Sequence, residues 1–150
     1  MSLRIAILSF AHMQAASYAH AVKARTDAVL VGIADQDPER GLQMAEHFET
    51  TYFDSYGGLL DQRLDGVIVN SENVNHRRLV EQAAAGGVKA ILCEKPLATT
   101  VADAGATIDV CAAHGVNLAT AFPCRYSPAF IRLQDQVKSG MIGHPITIAA

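Results

Sequence analysis

The sequence predicts a doubly wound α/β fold built on about six parallel strands. Apolar runs of strand length alternate with amphipathic segments of helix length, and the alternation repeats six times along the 150 residues. Two of these runs, AVLVGIA at 28–34 and GVIVN at 66–70, are apolar almost throughout, which is typical of parallel strands covered on both faces. Half of the residues are apolar, enough for one domain with a sizeable core.

The individual elements follow from this alternation. Strands are predicted at residues 3–9, 28–34, 51–53, 66–70, 88–93 and 117–121. Helices are predicted at residues 14–25, 37–48, 74–85, 100–114 and 127–140, with a single helical turn at 57–62. Asp37-Pro38, the Thr100/Asp103 pair, Ser127 and one of Ser71 or Asn73 are expected to cap helix starts. Gly86-Gly87 and Gly115 are expected to end helices, and residues 145–150 resemble the beginning of another strand.

Composition excludes several function classes. The 12 Lys and Arg and 15 Asp and Glu give a net charge of −3, and the largest basic cluster is the pair Arg77-Arg78, so a nucleic-acid partner is not expected. No apolar run approaches the ~20 residues of a membrane span, and the first residues lack a signal-peptide pattern, so we expect a cytoplasmic protein. Three widely spaced cysteines predict buried core residues in a reducing compartment, without a metal site or disulfide framework.

The loop after the first strand is the first candidate for ligand binding. In a dinucleotide fingerprint, Ser9, Ala11 and Gln14 would be glycines that allow a tight turn and close approach to a pyrophosphate. Ser9 and Ala11 are small enough to keep part of this function, and His12 is a further candidate for contacting the phosphates. The alternative is an ordinary strand–helix turn.

Asp35 follows the second strand, about twenty residues beyond that loop. A carboxylate there accepts hydrogen bonds from the ribose hydroxyls of an adenosine and repels a 2′-phosphate. Gln36 and Asp37 follow it and no arginine adjoins it in sequence, so NAD is expected to be preferred over NADP. The alternative is that Asp35 only caps the following turn.

Three further strand ends carry polar side chains. Residues 70–76 (NSENVNH) form a polar cluster at a helix start, where backbone N–H groups point outward. In Glu94-Lys95-Pro96, proline favours an extended Lys95, whose amine can bind a substrate oxygen and handle a proton, unless it only pairs with Glu94. Arg125, after the sixth strand, is suited to orienting a phosphate, a carboxylate or a nicotinamide amide.

Together these residues resemble the glucose–fructose oxidoreductase/inositol dehydrogenase (Gfo/Idh/MocA) family. The resemblance rests on Asp35, on Asn73 with His76, on Glu94-Lys95-Pro96 and on RYSPAF at 125–130, with GMIG at 140–143 similar to the stretch that leads into the family's second domain. It implies a Rossmann-type nucleotide-binding domain and a substrate-binding, proton-handling role for Lys95. It also implies that Asn73, His76, Glu94 and Arg125 line the nicotinamide side of the cofactor. Ser71, in the same polar cluster, is a further expected cofactor-binding residue.

The predicted function is the nucleotide-binding part of an NAD-dependent oxidoreductase acting on a sugar, polyol or related substrate. Residues 1–143 are expected to form this domain and residues 144–150 to begin a second, substrate-binding domain that the chain lacks. The 150 residues alone are therefore expected to fold without turnover, and the full-length protein to be a homo-oligomer. The alternative is a homologue that senses a nucleotide or sugar without turnover, which the loss of loop glycines favours.

Overall fold

The computed structural model describes residues 2–147. The strands are β1 (Leu3–Leu8), β2 (Ala28–Ala34), β3 (Thr51–Phe53), β4 (Gly66–Val69), β5 (Ala90–Glu94) and β6 (Asn117–Ala121). The helices are α1 (Ala15–Lys23), α2 (Pro38–His47), α3 (Tyr56–Leu60), α4 (His76–Ala85), α5 (Val101–Ala113) and α6 (Pro128–Lys138). Short 3₁₀ turns cover Asn73–Asn75 and Pro123–Tyr126. Of the strand expected at 145–150, residues 145–147 have no regular structure and 148–150 lie outside the described residues.

The six strands form one parallel sheet in the order β3-β2-β1-β4-β5-β6, which confirms the predicted fold class. Alternate residues of β1 point to opposite faces. Ile7 packs with Ala15 and Ala19 of α1, and Leu8 packs in a second core with Leu79 of α4. The strand order reverses between β1 and β4, so the loops at the carboxyl ends of these strands border the crevice where such sheets bind ligands.

Most expected helix boundaries are confirmed. Asp37 accepts hydrogen bonds from the backbone N–H groups of residues 39 and 40, and Thr100 accepts one from Asp103. Gly87 and Gly115, at φ +81° and +67°, end α4 and α5 in the left-handed conformation that favours glycine.

Three expected local details are wrong. Neither Ser71 nor Asn73 caps a helix, because the 3₁₀ turn leads directly into α4 and leaves Asn75 at the cap position. Ser127 precedes α6 but makes no side-chain capping bond. Cys93 and Cys111 are buried as expected, whereas Cys124 is exposed, because the chain leaves the sheet in a 3₁₀ turn after β6.

The last helix differs from the rest of the molecule in its exposure. Every residue of α6 is exposed, including Phe130 at 56% and Leu133 at 50%.

An apolar groove of about 400 Å³ lies at the amino ends of the strands, where Leu3, Ala28 and Ala90 contribute to its lining. Within residues 2–147, no helix combines the length and the apolar character that crossing a membrane requires.

Candidate functional site

Asp35 lies at the carboxyl end of β2, and its side chain is fully buried. Its Oδ1 accepts hydrogen bonds from Arg40 Nη2 at 2.6 Å and the Asp37 N–H at 3.0 Å. Its Oδ2 accepts from the Phe10 N–H at 2.6 Å, Arg40 Nε at 2.9 Å and Ser9 Oγ at 3.3 Å. Both oxygens expected to receive a ribose are therefore already hydrogen-bonded within the chain. We call Ser9, Phe10, Asp35, Asp37 and Arg40 the Asp35 corner.

The ionisation of Asp35 follows from these contacts. Burial of the carboxyl raises its pKa, but the hydrogen bonds from Arg40, from the Asp37 N–H and from the Phe10 N–H outweigh this effect and hold the pKa of Asp35 below its usual range. The carboxylate is thus the stable form of Asp35 at neutral pH.

Arg40 is the residue of this corner that the sequence analysis missed. It is absent from the sequence directly after Asp35, yet the first turn of α2 brings it back over the carboxylate in a two-bonded ion pair. Its guanidinium also lies 3.9 Å from carboxylate oxygens of both Asp37 and Glu72. One cation therefore faces three carboxylates.

Gly41 explains how α2 approaches so closely. A Cβ at this position would lie 2.5 Å from Cε2 of Tyr52 and 3.0 Å from Cβ of Asp35. Only a residue without a side chain fits this contact without a shift of the Tyr52 ring or of the helix. A glycine directly after an arginine in the first turn of a helix was the available sign in the sequence.

The loop after β1 keeps a glycine-like turn without glycine. Ser9 has φ +72°, in the left-handed region, and is fully buried. Its Oγ accepts a hydrogen bond from the Ala11 N–H at 3.1 Å in addition to its bond with Asp35. The His12 N–H donates to the Asn70 carbonyl at 3.0 Å, and His12 Nδ1 accepts from the Gln14 N–H at 3.3 Å. The loop's own side chains thus take up N–H groups of the kind that phosphates bind.

His76, which the resemblance places beside the cofactor, lies away from the surface. Its ring is fully buried between two backbone carbonyl groups. Nδ1 lies 2.8 Å from the carbonyl oxygen of Pro96, and Nε2 lies 3.0 Å from the carbonyl oxygen of Ser71. It therefore ties the loop after β4 to the loop after β5. Asn73 is exposed, while the neighbouring Asn70 is buried and its side-chain amide has no hydrogen-bond partner among the described residues.

Glu94 ends β5 and is 1% exposed. Its Oε1 accepts a 2.7 Å hydrogen bond from the hydroxyl of Tyr18, and its Oε2 accepts a 2.8 Å bond from the Lys95 N–H. His12 Nδ1 lies 3.8 Å from the same Oε1. Burial, together with the hydrogen bond and the charge of Glu94, raises the pKa of Tyr18. The sequence analysis does not single out Tyr18, so its hydroxyl is a second missed contact.

Lys95 differs from Asp35, His76 and Glu94, because its side chain is unengaged. It is exposed and makes no side-chain hydrogen bond or ion pair with residues 2–147, so the expected alternative of a pair with the Glu94 side chain is wrong. It helps to line a cavity of about 290 Å³ together with Gln14, Ala121, Phe122, Pro123 and Cys124. We call Glu94, Lys95 and Pro96 the Lys95 corner.

Comparison with known proteins decides what this arrangement belongs to. The model of an oxidoreductase family with an NAD-binding Rossmann fold, Gfo/Idh/MocA, matches residues 3–122. The chain belongs to this family. The expected resemblance and the Rossmann fold are thereby confirmed.

Individual relatives of this Gfo/Idh/MocA domain agree. A D-apiose dehydrogenase from Paraburkholderia graminis is 36% identical over 86% of this chain and 35% of its own length. A D-xylose 1-dehydrogenase [NADP(+)] from Haloarcula marismortui is 32% identical over 77% of this chain and 33% of its own length. The crystal structure of a myo-inositol 2-dehydrogenase from Lactobacillus plantarum shares the fold, with a TM-score of 0.85, 21% identity, and coverage of 95% of this chain and 43% of that one. The chain spans about a third of the length of the curated relatives it matches.

The Gfo/Idh/MocA domain does not bring all expected site residues together. Arg125 is exposed and lines a different cavity, with Phe130, Leu133 and Val137 of α6. Cys124 borders the Lys95 cavity, yet within residues 2–147 the structure shows no hydrogen-bonding partner for its thiol. The same residues contain no group of three or more His, Cys, Asp or Glu side chains arranged to hold a metal.

Proposed function

We propose that this chain is the cofactor-binding part of an NAD-dependent dehydrogenase of sugars or polyols. The unengaged amine of Lys95, in a cavity that also contains Gln14 of the β1 loop, is the observation that carries the proposal. The names of the apiose and xylose relatives support the substrate class. A homo-oligomeric full-length protein in the cytoplasm, with residues 1–143 as its first domain and 144–150 beginning its second, belongs to the same proposal.

The residues present fit a dinucleotide in the crevice between β1 and β4. Ser9 has the backbone conformation of a fingerprint glycine, Ala11 keeps the side chain beside it small, and the unpartnered buried amide of Asn70 lies at the adjoining strand end. The Asp35 corner would receive the adenosine ribose. Ser71, Asn73 and the Lys95 corner would lie toward the nicotinamide, with His76 and Glu94 holding the surrounding loops in place.

Lys95 would act on the substrate's reacting oxygen. Its amine would hydrogen-bond the hydroxyl from which a proton is lost, and Glu94 would fix the backbone of Lys95 through the 2.8 Å bond. Bound NAD would accept the hydride from the carbon that carries this hydroxyl. Because the substrate's remaining contacts are expected from a second domain, we propose that the 150 residues alone have no turnover.

Electrostatics at the Asp35 corner favour NAD over NADP. Asp35, Asp37 and Glu72 place three negative charges around a single guanidinium, and a 2′-phosphate would add to this negative charge. We propose this preference for this chain and not for the whole family, because the name of the xylose relative includes NADP(+).

A titration with NADH tests the proposal. We expect the NADH emission to change on binding to the wild-type chain and to the Lys89→Ala variant, whose lysine lies at the amino end of β5. In this proposal the Lys95 amine also contacts the nicotinamide part of the cofactor, so Lys95→Ala should weaken NADH binding by about threefold or more, as expected for the loss of one polar contact. Absence of NADH binding to the wild type, or equal binding by both variants, contradicts the proposal.

Non-catalytic sensing is the second candidate. It is favoured by the loop after β1, where N–H groups of Ala11, His12 and Gln14 are already hydrogen-bonded within the chain. Reduction of NAD by the full-length protein with a polyol or sugar would exclude it. Binding of NADH without any such reduction would favour it.

A further inference from the structure

We propose that Tyr18 is a positioning residue for Lys95, which it reaches through the buried carboxylate of Glu94. The inference rests on the proposed function and deepens it, because it adds a residue of α1 to the part of the site where the nicotinamide would lie. It depends on two hydrogen bonds to one carboxylate. The Tyr18 hydroxyl donates to Oε1 at 2.7 Å, and the Lys95 N–H donates to Oε2 at 2.8 Å.

Few other donors are within reach of the Glu94 carboxylate. Glu94 is 1% exposed, so water has little access to replace a lost hydrogen bond. Within residues 2–147, the group next nearest to Oε1 is Nδ1 of His12, at 3.8 Å. That nitrogen accepts a hydrogen bond from the Gln14 N–H, so it has no proton to offer Glu94. Tyr18 is therefore the side chain that holds the outer oxygen of Glu94 in place.

Tyr18 is suited to acting through Glu94 and not on a ligand directly. It lines a different cavity from Lys95, of about 210 Å³, which shares Ala121, Phe122 and Pro123 with the Lys95 cavity. Burial, together with the hydrogen bond and the charge of Glu94, raises the pKa of Tyr18, so its hydroxyl remains a donor.

Loss of the Tyr18 hydroxyl would leave Oε1 of a buried carboxylate without a donor. Such a group is costly, so the Glu94 side chain would turn toward the donors that remain. Its Oε2 would then no longer hold the Lys95 N–H in the same place, and the backbone that carries the Lys95 amine would lose its fixed position. The contact between this amine and the nicotinamide would weaken as a result.

A double-mutant cycle measured by NADH titration separates positioning from a purely structural effect. Tyr18→Phe keeps the ring and removes the hydroxyl, and it should weaken NADH binding by about threefold, and by no more than Lys95→Ala does. In the Lys95→Ala background, Tyr18→Phe should leave the NADH affinity unchanged, because the amine that Tyr18 positions is gone. A purely structural role would give the same weakening in both backgrounds.

Tyr52→Phe is the matched control. Tyr52 is half-buried like Tyr18, but it lies on β3, with β2, β1 and β4 between it and β5, and its hydroxyl makes no side-chain hydrogen bond within residues 2–147. Its loss should leave the NADH affinity unchanged in both backgrounds. Should Tyr18→Phe fold poorly by circular dichroism, Tyr18→Phe/Glu94→Gln removes the unpaired charge together with the hydroxyl and enters the same cycle with the same expected result.

The outcomes distinguish this inference from the proposed function. Equal weakening in the two backgrounds, an unchanged NADH affinity in Tyr18→Phe, or an equal effect of Tyr52→Phe overturns the role of Tyr18 while the proposed function stands. If the wild type does not bind NADH, or if Lys95→Ala does not weaken binding, the proposed function fails, and the role of Tyr18 with it.

Discussion

The Asp35 corner and the Lys95 corner both lie at the carboxyl ends of strands of one sheet. Protein groups hydrogen-bond the Asp35 side chain fully, whereas they leave the Lys95 side chain without a partner. The Asp35 carboxylate is buried and accepts five hydrogen bonds from protein donors. The Lys95 amine, at the end of β5 two strands from β1, is exposed and engages no residue among 2–147. One corner must reorganise before it can bind a ligand, whereas the other is already free to do so.

The difference has a physical origin. A buried carboxylate without partners is costly, so any sequence that places one there must also supply donors, here Arg40 and backbone N–H groups. An exposed ammonium is solvated by water and needs no such partner. The affinity of the Asp35 corner for a ligand therefore depends on how well the ligand's hydrogen bonds replace those within the chain. The affinity of the Lys95 corner depends only on the contacts that the ligand itself makes.

The largest expected effect is a difference in unfolding free energy between a variant of the Asp35 corner and a variant of the Lys95 corner. Asp35→Ala should lower the free energy of unfolding by about 3 kcal/mol, because it leaves Arg40 and two N–H groups without their acceptor. Lys95→Ala should change it by less than about 0.5 kcal/mol, as usual for a solvated surface side chain. Urea unfolding followed by circular dichroism measures both. Equal losses in the two variants would contradict the comparison.

Gly41→Ala should destabilise the Asp35 corner through the packing of α2 against Tyr52. The added methyl group would lie 2.5 Å from the ring of Tyr52, so the ring or α2 must shift, and a shift of α2 would move it away from Asp35. We expect a loss of about 2 kcal/mol, within the usual range for overpacking. Gly57→Ala is the control, since a Cβ there meets no atom within 4 Å. A stability equal to that of the control would show that α2 does not need the close contact.

Lowering the pH should remove the stabilising effect of the Asp35 carboxylate. Because the folded pKa of Asp35 is lowered, its contribution to stability is complete above the unfolded pKa of about 3.9 and is lost as the pH falls through the folded pKa. The wild type should therefore lose more unfolding free energy than Asp35→Asn between pH 6 and pH 3. Parallel curves for the two proteins in urea melts would show that Asp35 is not tied to its donors.

The smallest expected effect concerns Ser9. Ser9→Ala loses the hydrogen bonds of Oγ and keeps a side chain at φ +72°, whereas Ser9→Gly loses the same bonds but relieves the backbone. The glycine variant should be more stable than the alanine variant by about 1 kcal/mol, the usual cost of the left-handed conformation. A thermal melt of both variants measures this difference, and the reverse order would mean that the loop has changed its conformation.

Much of the fold was predictable because it depends on local patterns. The six strands follow from short apolar runs, and the start of α2 follows from Asp37 and Pro38. The position of Asp35 at a strand end was predictable for the same reason. These features depend on residues that lie within one turn or one strand of each other.

The parts of the site that the sequence did not reveal depend on contacts between elements. Arg40 reaches Asp35 only because Gly41 lets α2 lie against the sheet. The His76 ring is buried because its two nitrogens contact the carbonyl groups of Ser71 and Pro96, which belong to different loops. Neither contact follows from periodicity, because both depend on how far apart two packed elements lie.

The strand order has a consequence for how the protein acquires its site. The site draws on loops after β1, β2, β4 and β5, and each of these parallel strands can pair with its neighbour only after the chain has completed a crossover. The carbonyl of Asn70 meets the His12 N–H only when both halves of the sheet have come together. A dinucleotide would therefore bind late folding species rather than early ones. At a concentration one hundred times its dissociation constant, it would add about 2.7 kcal/mol to the stability of the complete sheet.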